Sequence, residues 1–165
     1  MPYIIPTTIV SGFPAIGKST AAKLYPTFFR DLESSDFHWI PNQFDENNEK
    51  VLNPQWPQNY INQIKALEKS GMYSAVCVSS HHDIRKLMAE NGIKYTNLYP
   101  KNDFKTKNVI LRRMRVRQSP DSMIELIDKN WDSFINDMAT DKGSVTNLEL
   151  DERSLEDWIG WCMMR

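Results

Sequence analysis

Two hydrophobic periods alternate along this chain, one typical of buried strands and the other of helices that pack on one face. Short runs rich in apolar and β-branched residues predict five strands, at residues 4–10, 27–32, 72–79, 95–99 and 147–150. Apolar positions at helical spacing predict six helices, over residues 19–24, 58–70, 83–90, 103–117, 121–139 and 154–163. Strands that alternate with helices indicate a three-layer α/β fold, with about five parallel strands and helices on both faces of the sheet.

The helix predicted over residues 121–139 has the clearest pattern, because its apolar residues fall on one face. These residues are Met123, Ile124, Ile127, Trp131, Phe134, Ile135 and Met138. Such a stripe is typical of core packing rather than of a cofactor site. Residues 41–57 instead contain three prolines and five Asn or Asp residues, which predicts a surface loop. Long loops in small domains are often functional, so we expect a substrate-side excursion over about residues 38–70.

Residues 12–19 read Gly-Phe-Pro-Ala-Ile-Gly-Lys-Ser and fit the phosphate-binding pattern G-x-x-x-x-G-K-[ST] at every fixed position. A predicted strand precedes the pattern and a predicted helix follows it, which is the context in which backbone N–H groups converge on phosphate oxygens. Lys18 is expected to reach the β- and γ-phosphates, and the hydroxyl of Ser19 to bind Mg²⁺. The predicted ATP- or GTP-binding residues are Gly12, Ala15, Ile16, Gly17, Lys18, Ser19 and Thr20.

Two carboxylates stand at the end of the second predicted strand. Asp31 and Glu33 are two residues apart, so they lie on the same side of an extended strand. Ligands of parallel sheets bind beyond the carboxyl ends of the strands, where the phosphate loop also lies. We expect Asp31 to accept a proton from an attacking hydroxyl or to hold Mg²⁺ together with Ser19, and Glu33 to contact the acceptor.

The third predicted strand ends in polar residues, at a position where P-loop enzymes typically have an aspartate that holds the metal shell. Here the chain has Ser79, Ser80 and His81, and the nearest acid, Asp83, already belongs to the following helix. The acid of the metal shell is then either displaced to the second strand or replaced by a water held on a serine. We expect the two serines and His81 to contact the acceptor.

Three arginines are candidates for contact with anionic groups. Arg85 closely follows the third strand, where a guanidinium can hold an anionic acceptor with two hydrogen bonds. Arg113 and Arg117 are four residues apart and share one face of a basic helix. In a phosphoryl-transfer enzyme such a pair closes over the nucleotide and neutralises transition-state charge, so we expect at least one of the two to be catalytic.

Composition and charge narrow the class of protein. A chain of 165 residues with 41% hydrophobic and 25% charged residues suits one soluble domain over residues 1–165. A net charge of −1 argues against the broad basic surface of a duplex-DNA binder. The two cysteines match no zinc spacing, no apolar stretch is long enough to span a membrane, and the N-terminus lacks a signal-peptide pattern. We expect a cytoplasmic monomer or homodimer without membrane contact.

Several segments resemble known P-loop kinases. The phosphate loop resembles that of adenylate kinase-like enzymes, including a proline at its third position, Pro14. The basic helix, the polar turn after it and the next helix look like the lid region of those enzymes, here at about residues 112–122. Asp31-Leu32-Glu33 resembles the D-x-D segment of shikimate kinase-like enzymes, which bind a hydroxyl acceptor.

Residues 31–39 are similar to a segment of small phage-type P-loop kinases. The same resemblance includes Ser79-Ser80-His81 after the third strand and the pair Arg113 and Arg117. These resemblances imply the nucleoside-monophosphate-kinase fold, with ATP and Mg²⁺ as cofactors. They also imply transfer of the γ-phosphate of ATP to a small acceptor.

Two classes of acceptor fit these residues, because each requires different chemistry. A nucleoside monophosphate is already an anionic nucleophile, so its kinase needs cations such as Arg85. A hydroxyl must lose a proton, so its kinase benefits from a carboxylate such as Asp31. The resemblance to nucleotide kinases favours a (deoxy)nucleoside monophosphate. The alternatives are a hydroxyl acceptor (a nucleoside, a small metabolite or a hydroxymethylated base in DNA) and a nucleotide-binding regulator without transfer activity. Nucleic acid is a partner only if the acceptor is the DNA base.

Overall fold

The computed structural model describes residues 6–163. In chain order the elements are β1 (Thr8–Gly12), α1 (Lys18–Leu24), β2 (Phe29–Asp31), α2 (Ser35–His38), β3 (Trp39–Phe44), β4 (Lys50–Leu52), α3 (Gln58–Ser70), β5 (Ala75–Ser79), α4 (His82–Glu90), β6 (Tyr95–Pro100), α5 (Phe104–Val116), α6 (Asp121–Lys129), α7 (Trp131–Ala139), β7 (Thr146–Leu150) and α8 (Ser154–Met163). No helix within residues 6–163 is both long and apolar enough to cross a membrane.

Five of these strands form one parallel sheet in the order β2-β5-β1-β6-β7. β1 lies at the centre, and its Ile9 stands opposite Val76 of β5 and Tyr95 of β6. The predicted α/β fold with about five parallel strands is therefore confirmed. The first strand begins at Thr8, and the predicted strand residues 4 and 5 lie outside the described part of the chain.

Each face of the sheet has its own hydrophobic core, because successive side chains of a strand point to opposite faces. On one face Ile9 and Val76 pack with α3 and α4. On the other face Val10 and Cys77 pack with α1, α5, α6, α7 and α8. Helices therefore cover both faces, and the ends of the strands remain as the place where a ligand can enter.

The surface loop predicted over residues 41–57 is wrong in part, because a β-hairpin occupies this segment. β3 and β4 pair in antiparallel fashion, with Trp39 opposite Leu52. The carboxylate of Asp45 accepts two backbone hydrogen bonds within the turn between them. Most side chains of the two strands are exposed, so no hydrophobic period marks the hairpin in the sequence.

The single helix predicted over residues 121–139 is two helices, α6 and α7, which meet at Asn130. Asn130 has φ −107° and ψ 19°, and its side-chain amide donates a hydrogen bond to the carbonyl of Leu126. Side-chain bonds of this kind compete with the helix backbone. Ile127 and Trp131, on either side of the break, are both buried in the same core, as the apolar stripe predicts. Hydrophobic periodicity continues across the break and therefore does not reveal it.

Candidate active site

A cleft of about 880 Å³ lies at the carboxyl ends of β1, β2 and β5. The phosphate loop after β1 forms one side of this cleft. The end of β2 and residues 79–81 after β5 form a second side, and α5 and α8 supply the rest of the lining. Open parallel sheets bind their ligands at this edge. The fold therefore brings most of the predicted site residues together in one cleft.

The phosphate loop has the backbone that its glycines allow. Gly17 has φ 110°, a left-handed value that glycine adopts without steric cost, and Ala15 also has a positive φ of 64°. A Cβ added at Gly12 would lie 2.7 Å from Cδ1 of Ile16 and 2.9 Å from Cδ of Lys18. A side chain at Gly12 would therefore displace the two residues that shape the loop.

Lys18 lies along the loop, and its Nζ donates a hydrogen bond to the carbonyl of Gly12 at 2.8 Å. Burial lowers the pKa of Lys18, whereas the nearby carboxylate of Asp31 opposes that shift. The lysine ammonium and the aspartate therefore interact electrostatically inside the cleft. A cation in this position stands between the phosphate loop and the end of β2.

Asp31 is the last residue of β2 and is half-buried, whereas Glu33 is exposed. Burial raises the pKa of Asp31, the cation of Lys18 lowers it, and the charge of Glu33 raises it again, so the net shift is upward. A carboxylate with a raised pKa is a stronger base near neutral pH than an ordinary aspartate. Both carboxylates line the cleft, as predicted from their spacing.

Ser79, Ser80 and His81 also line the cleft, on the side that follows β5. The hydroxyl of Ser79 accepts a hydrogen bond from the backbone N–H of His81 at 3.3 Å, which closes the turn before α4. Together with the two carboxylates, these residues give this side of the cleft hydroxyl, imidazole and carboxylate groups.

Tyr60 joins the ends of β2 and β5 and was missed as a site residue. Its hydroxyl donates to the carbonyl of Leu32 at 2.7 Å and accepts from the backbone N–H of Ser79 at 3.0 Å. The side chain is fully buried, and burial raises the pKa of Tyr60, so its hydroxyl stays protonated. Tyr60 therefore sets the spacing between the acidic and the serine sides. Its place on the apolar face of α3 predicts only a core residue.

Arg85 lies outside the cleft, and we reassign it from the acceptor site to the protein interior. Its side chain is 3% exposed, and its Nε donates to the carbonyl of Ser80 at 2.9 Å. Its guanidinium also pairs with Asp137 and, at 2.8 Å, with Asp141. These contacts engage all three guanidinium nitrogens within the protein. The two aspartates lie more than fifty residues away in sequence, so no local sequence pattern predicts them as partners of Arg85.

The arginines of the basic helix do reach the cleft, and they have different contacts. Arg112, Arg113 and Arg117 all contribute to its lining. Nη1 of Arg113 donates to the carbonyl of Ala15 in the phosphate loop at 3.1 Å. Arg117 donates from Nε to the hydroxyl of Ser119 at 2.8 Å, and its charge acts on Lys18. Arg113 therefore contacts the loop itself, while Arg117 is a second cation in the cleft.

Trp158 is a second residue that the sequence did not connect with the loop. It lies on α8, and its Nε1 donates a hydrogen bond to the carbonyl of Ile16 at 2.9 Å. The indole is fully buried and packs edge-to-face against Phe29, with ring centroids 6.1 Å apart. The apolar pattern of the closing helix predicts its burial but not its hydrogen bond.

No group of three or more His, Cys, Asp or Glu side chains among residues 6–163 is placed to hold a metal ion. Mg²⁺ needs no such group, because it keeps several waters and binds through one or two protein ligands and substrate phosphates. The hydroxyl of Ser19 and the carboxylate of Asp31 are oxygen ligands of the right kind in the cleft lining. These residues therefore fit a magnesium ion that enters with a nucleotide.

No family model and no curated protein matches this chain. Among solved structures, the chain is similar to a gluconokinase from Sinorhizobium meliloti 1021, with a TM-score of 0.52 and 16% sequence identity. The similarity covers 99% of this chain and 92% of the gluconokinase chain. At 16% sequence identity, this similarity shows only that the two chains share a fold. The chain shares the α/β fold of this gluconokinase over nearly its whole length.

Proposed function

We propose that this protein is a P-loop kinase that transfers the γ-phosphoryl group of ATP to a hydroxyl group of a small acceptor. One observation carries the proposal, namely that Lys18 of the phosphate loop and Asp31 at the end of β2 line the same cleft. A lysine on a phosphate loop suits the phosphates of the donor. A carboxylate with a raised pKa suits an acceptor hydroxyl that must lose its proton.

The donor site consists of the phosphate loop and the first residues of α1. Lys18 would exchange its hydrogen bond to the Gly12 carbonyl for phosphate oxygens. Ser19 would hold Mg²⁺, which neutralises charge on the β- and γ-phosphates, and Asp31 is the alternative metal ligand if it does not act as the base. In this proposal residues 112–122 act as a lid, since Arg113 and Arg117 line the cleft from that side.

The acceptor site consists of the opposite side of the cleft. Glu33, Ser79, Ser80 and His81 join Asp31 there. A carboxylate accepts hydrogen bonds from the hydroxyls of a substrate, and a protein hydroxyl both donates to them and accepts from them, whereas a phosphate would require cations. Because Arg85 is bound within the protein, it supplies no such cation. We assign the excursion over residues 38–70 to acceptor binding, because Tyr60 connects it to both strand ends.

A nucleoside monophosphate is the second candidate acceptor, and the remaining arginines favour it. Arg112 and Arg117 line the cleft and are not engaged by carboxylates in any ion pair within residues 6–163. Such cations could hold an anionic acceptor as well as the donor. A nucleotide-binding regulator without transfer activity would use the loop but would release no labelled product.

Transfer from γ-labelled ATP with Mg²⁺ to a panel of acceptors tests the proposal. The panel contains nucleosides, nucleoside monophosphates, hydroxylated sugar acids and DNA with hydroxymethylated bases. Gluconate is included because the similar structure is named a gluconokinase. We expect label on a hydroxyl compound. Label on nucleoside monophosphates alone would favour the second candidate, and ATP binding without transfer would favour the regulator.

Lys18→Ala provides the internal control, since it removes the phosphate-contacting cation. We expect it to abolish transfer and to weaken ATP binding in isothermal titration, with an unchanged circular dichroism spectrum. Lys129→Ala removes an exposed lysine at the end of α6 and should leave both unchanged. Unaltered ATP affinity in Lys18→Ala would contradict the phosphate-loop assignment.

A further inference from the structure

Two side chains hold the phosphate loop through its carbonyl oxygens. Arg113 donates to the carbonyl of Ala15, and Trp158 donates to the carbonyl of Ile16. An indole N–H can donate a hydrogen bond but cannot accept one, so the group that it contacts here must be an acceptor such as a carbonyl. Trp158 is fully buried against Phe29, so packing fixes the direction in which it donates.

The bond to Ile16 has a consequence for the next residue, because the two share one peptide group. In a planar trans peptide the C=O and the following N–H point in opposite directions. With the Ile16 carbonyl directed to Trp158, the N–H of Gly17 is directed away from the indole. Gly17 lines the cleft and has a left-handed φ of 110°, the type of backbone that forms an anion-binding concavity.

The orientation of the Ile16–Gly17 peptide is easily lost because its second residue is a glycine. Gly17 can adopt positive and negative φ about equally well, so its own conformation does not fix the peptide. Ile16 is fully buried, and its carbonyl would lack a partner if the indole N–H were removed. A buried carbonyl without a partner favours rotation of the peptide to another orientation. Trp158 therefore supplies the directional contact that the loop sequence itself lacks.

We infer that Trp158 is a positioning residue for phosphate binding: its indole N–H holds the Ile16–Gly17 peptide so that the Gly17 amide points to the nucleotide phosphates. The inference rests on the proposed nucleotide binding by the loop. Trp158 touches no substrate in this scheme and acts through the Ile16 carbonyl. A purely structural role would require the ring for packing and would make its N–H dispensable.

Trp158→Phe separates these two roles, because it removes the N–H and keeps an aromatic ring in the core. Trp131→Phe is the matched control. Trp131 is also buried, and its Nε1 donates to Asn102 rather than to the phosphate loop. Isothermal titration with Mg·ATP and with Mg·tripolyphosphate measures binding with and without the nucleoside.

We expect Trp158→Phe to weaken binding of both probes about ten- to a hundredfold, because a charge-assisted hydrogen bond from the Gly17 amide is lost. Trp131→Phe should bind both as the wild type does. The chain has six glycines, so ¹⁵N-glycine labelling gives a spectrum of few peaks. In it the Gly17 amide should shift on adding Mg·tripolyphosphate to the wild type and should respond much less in Trp158→Phe.

Wild-type affinity for both probes in Trp158→Phe would overturn the inference and leave the proposed function intact. A wild-type protein that binds neither probe would instead overturn the proposed function and this inference with it. If Trp158→Phe fails to fold, replacing Trp158 with benzothienylalanine removes the N–H at almost unchanged shape, and the same two affinities decide.

Discussion

Asp31 combines burial with a neighbouring cation, and these two influences oppose each other. Burial disfavours its charged form and raises its pKa, while Lys18 lowers it. The net shift is upward, so Asp31 stays protonated to a higher pH than an ordinary aspartate. A base must be deprotonated to act, and this environment therefore has a direct effect on the pH profile of the proposed reaction.

We predict that kcat/KM falls as the pH drops through the pKa of Asp31. The fall should occur at a higher pH than the ordinary aspartate pKa of 3.8 would give. Asp31→Asn removes the base and should slow transfer to a hydroxyl about 10²- to 10⁴-fold. Steady-state rates across the pH range measure both effects. Glu33→Gln leaves Asp31 in place, so the fall of kcat/KM at acidic pH should remain. It should shift to a slightly lower pH, because the charge of Glu33 raises the pKa of Asp31.

The Asp31→Asn variant also distinguishes the role of Asp31 as a base from its role as a metal ligand. If Asp31 acts mainly by holding Mg²⁺, excess magnesium should partly restore the rate of Asp31→Asn. A loss that magnesium does not restore supports the base. Full activity of Asp31→Asn with a hydroxyl acceptor would contradict both roles.

Among the elements, α5 connects the phosphate loop with the far side of the cleft. Arg113 contacts the loop at Ala15, whereas Arg117, just after the helix, acts on the charges of Lys18 and Asp31. Both arginines line the cleft, but Arg113 lies on α5 and Arg117 follows its end, and the structure gives them different partners. The expected roles therefore differ as well.

We predict that Arg117→Ala lowers kcat by about 10³-fold with little change in ATP affinity, because charge develops on the transferring phosphoryl group. Arg113→Ala should raise the Michaelis constant for ATP, since it removes a contact that orients the loop. Initial-rate kinetics with varied ATP separates the two. An unchanged kcat in Arg117→Ala would contradict its catalytic role, and an unchanged Michaelis constant for ATP in Arg113→Ala would contradict its role in orienting the loop.

For the whole molecule, the buried cluster around Arg85 joins elements that are distant in sequence. Arg85 of α4 pairs with Asp137 of α7 and with Asp141, which follows α7. Asp141 also accepts hydrogen bonds from Tyr95 and Asn97 of β6 at 2.9 Å each. Burial by itself would raise the pKa of Asp141, but its hydrogen bonds lower it overall. The cluster therefore holds a charged carboxylate inside the fold.

We predict that Arg85→Met lowers the free energy of unfolding by about 3–5 kcal/mol, because it leaves the largely buried carboxylate of Asp141 without its cation. Asp128→Ala breaks an exposed ion pair with Lys107 and should cost about 0–1 kcal/mol. Urea unfolding compares the two. A fully stable Arg85→Met protein with a raised Michaelis constant for the acceptor would instead restore the acceptor role predicted from the sequence.

Much of the fold was predictable, because its signals are local. The phosphate-loop pattern, the five parallel strands and the helices on both faces depend on residue types within short segments. The hairpin of β3 and β4 was not predictable in this way, since its exposed strands have no hydrophobic period. The break at Asn130 was hidden by an apolar stripe that continues across it.

The residue types and their spacing, by themselves, determined the sheet and the identity of the phosphate loop, and they singled out the carboxylates that line the cleft beside it. Tertiary structure alone decided the roles of Arg85, Tyr60 and Trp158. Their hydrogen-bond partners Asp141, Leu32 and Ile16 lie 56, 28 and 142 residues away. A buried polar group is defined by the partner that satisfies it, and folding selects that partner from the whole chain. Local pattern therefore predicted the burial of Tyr60 and Trp158 but not that of Arg85, and the folded chain determines what all three side chains contact.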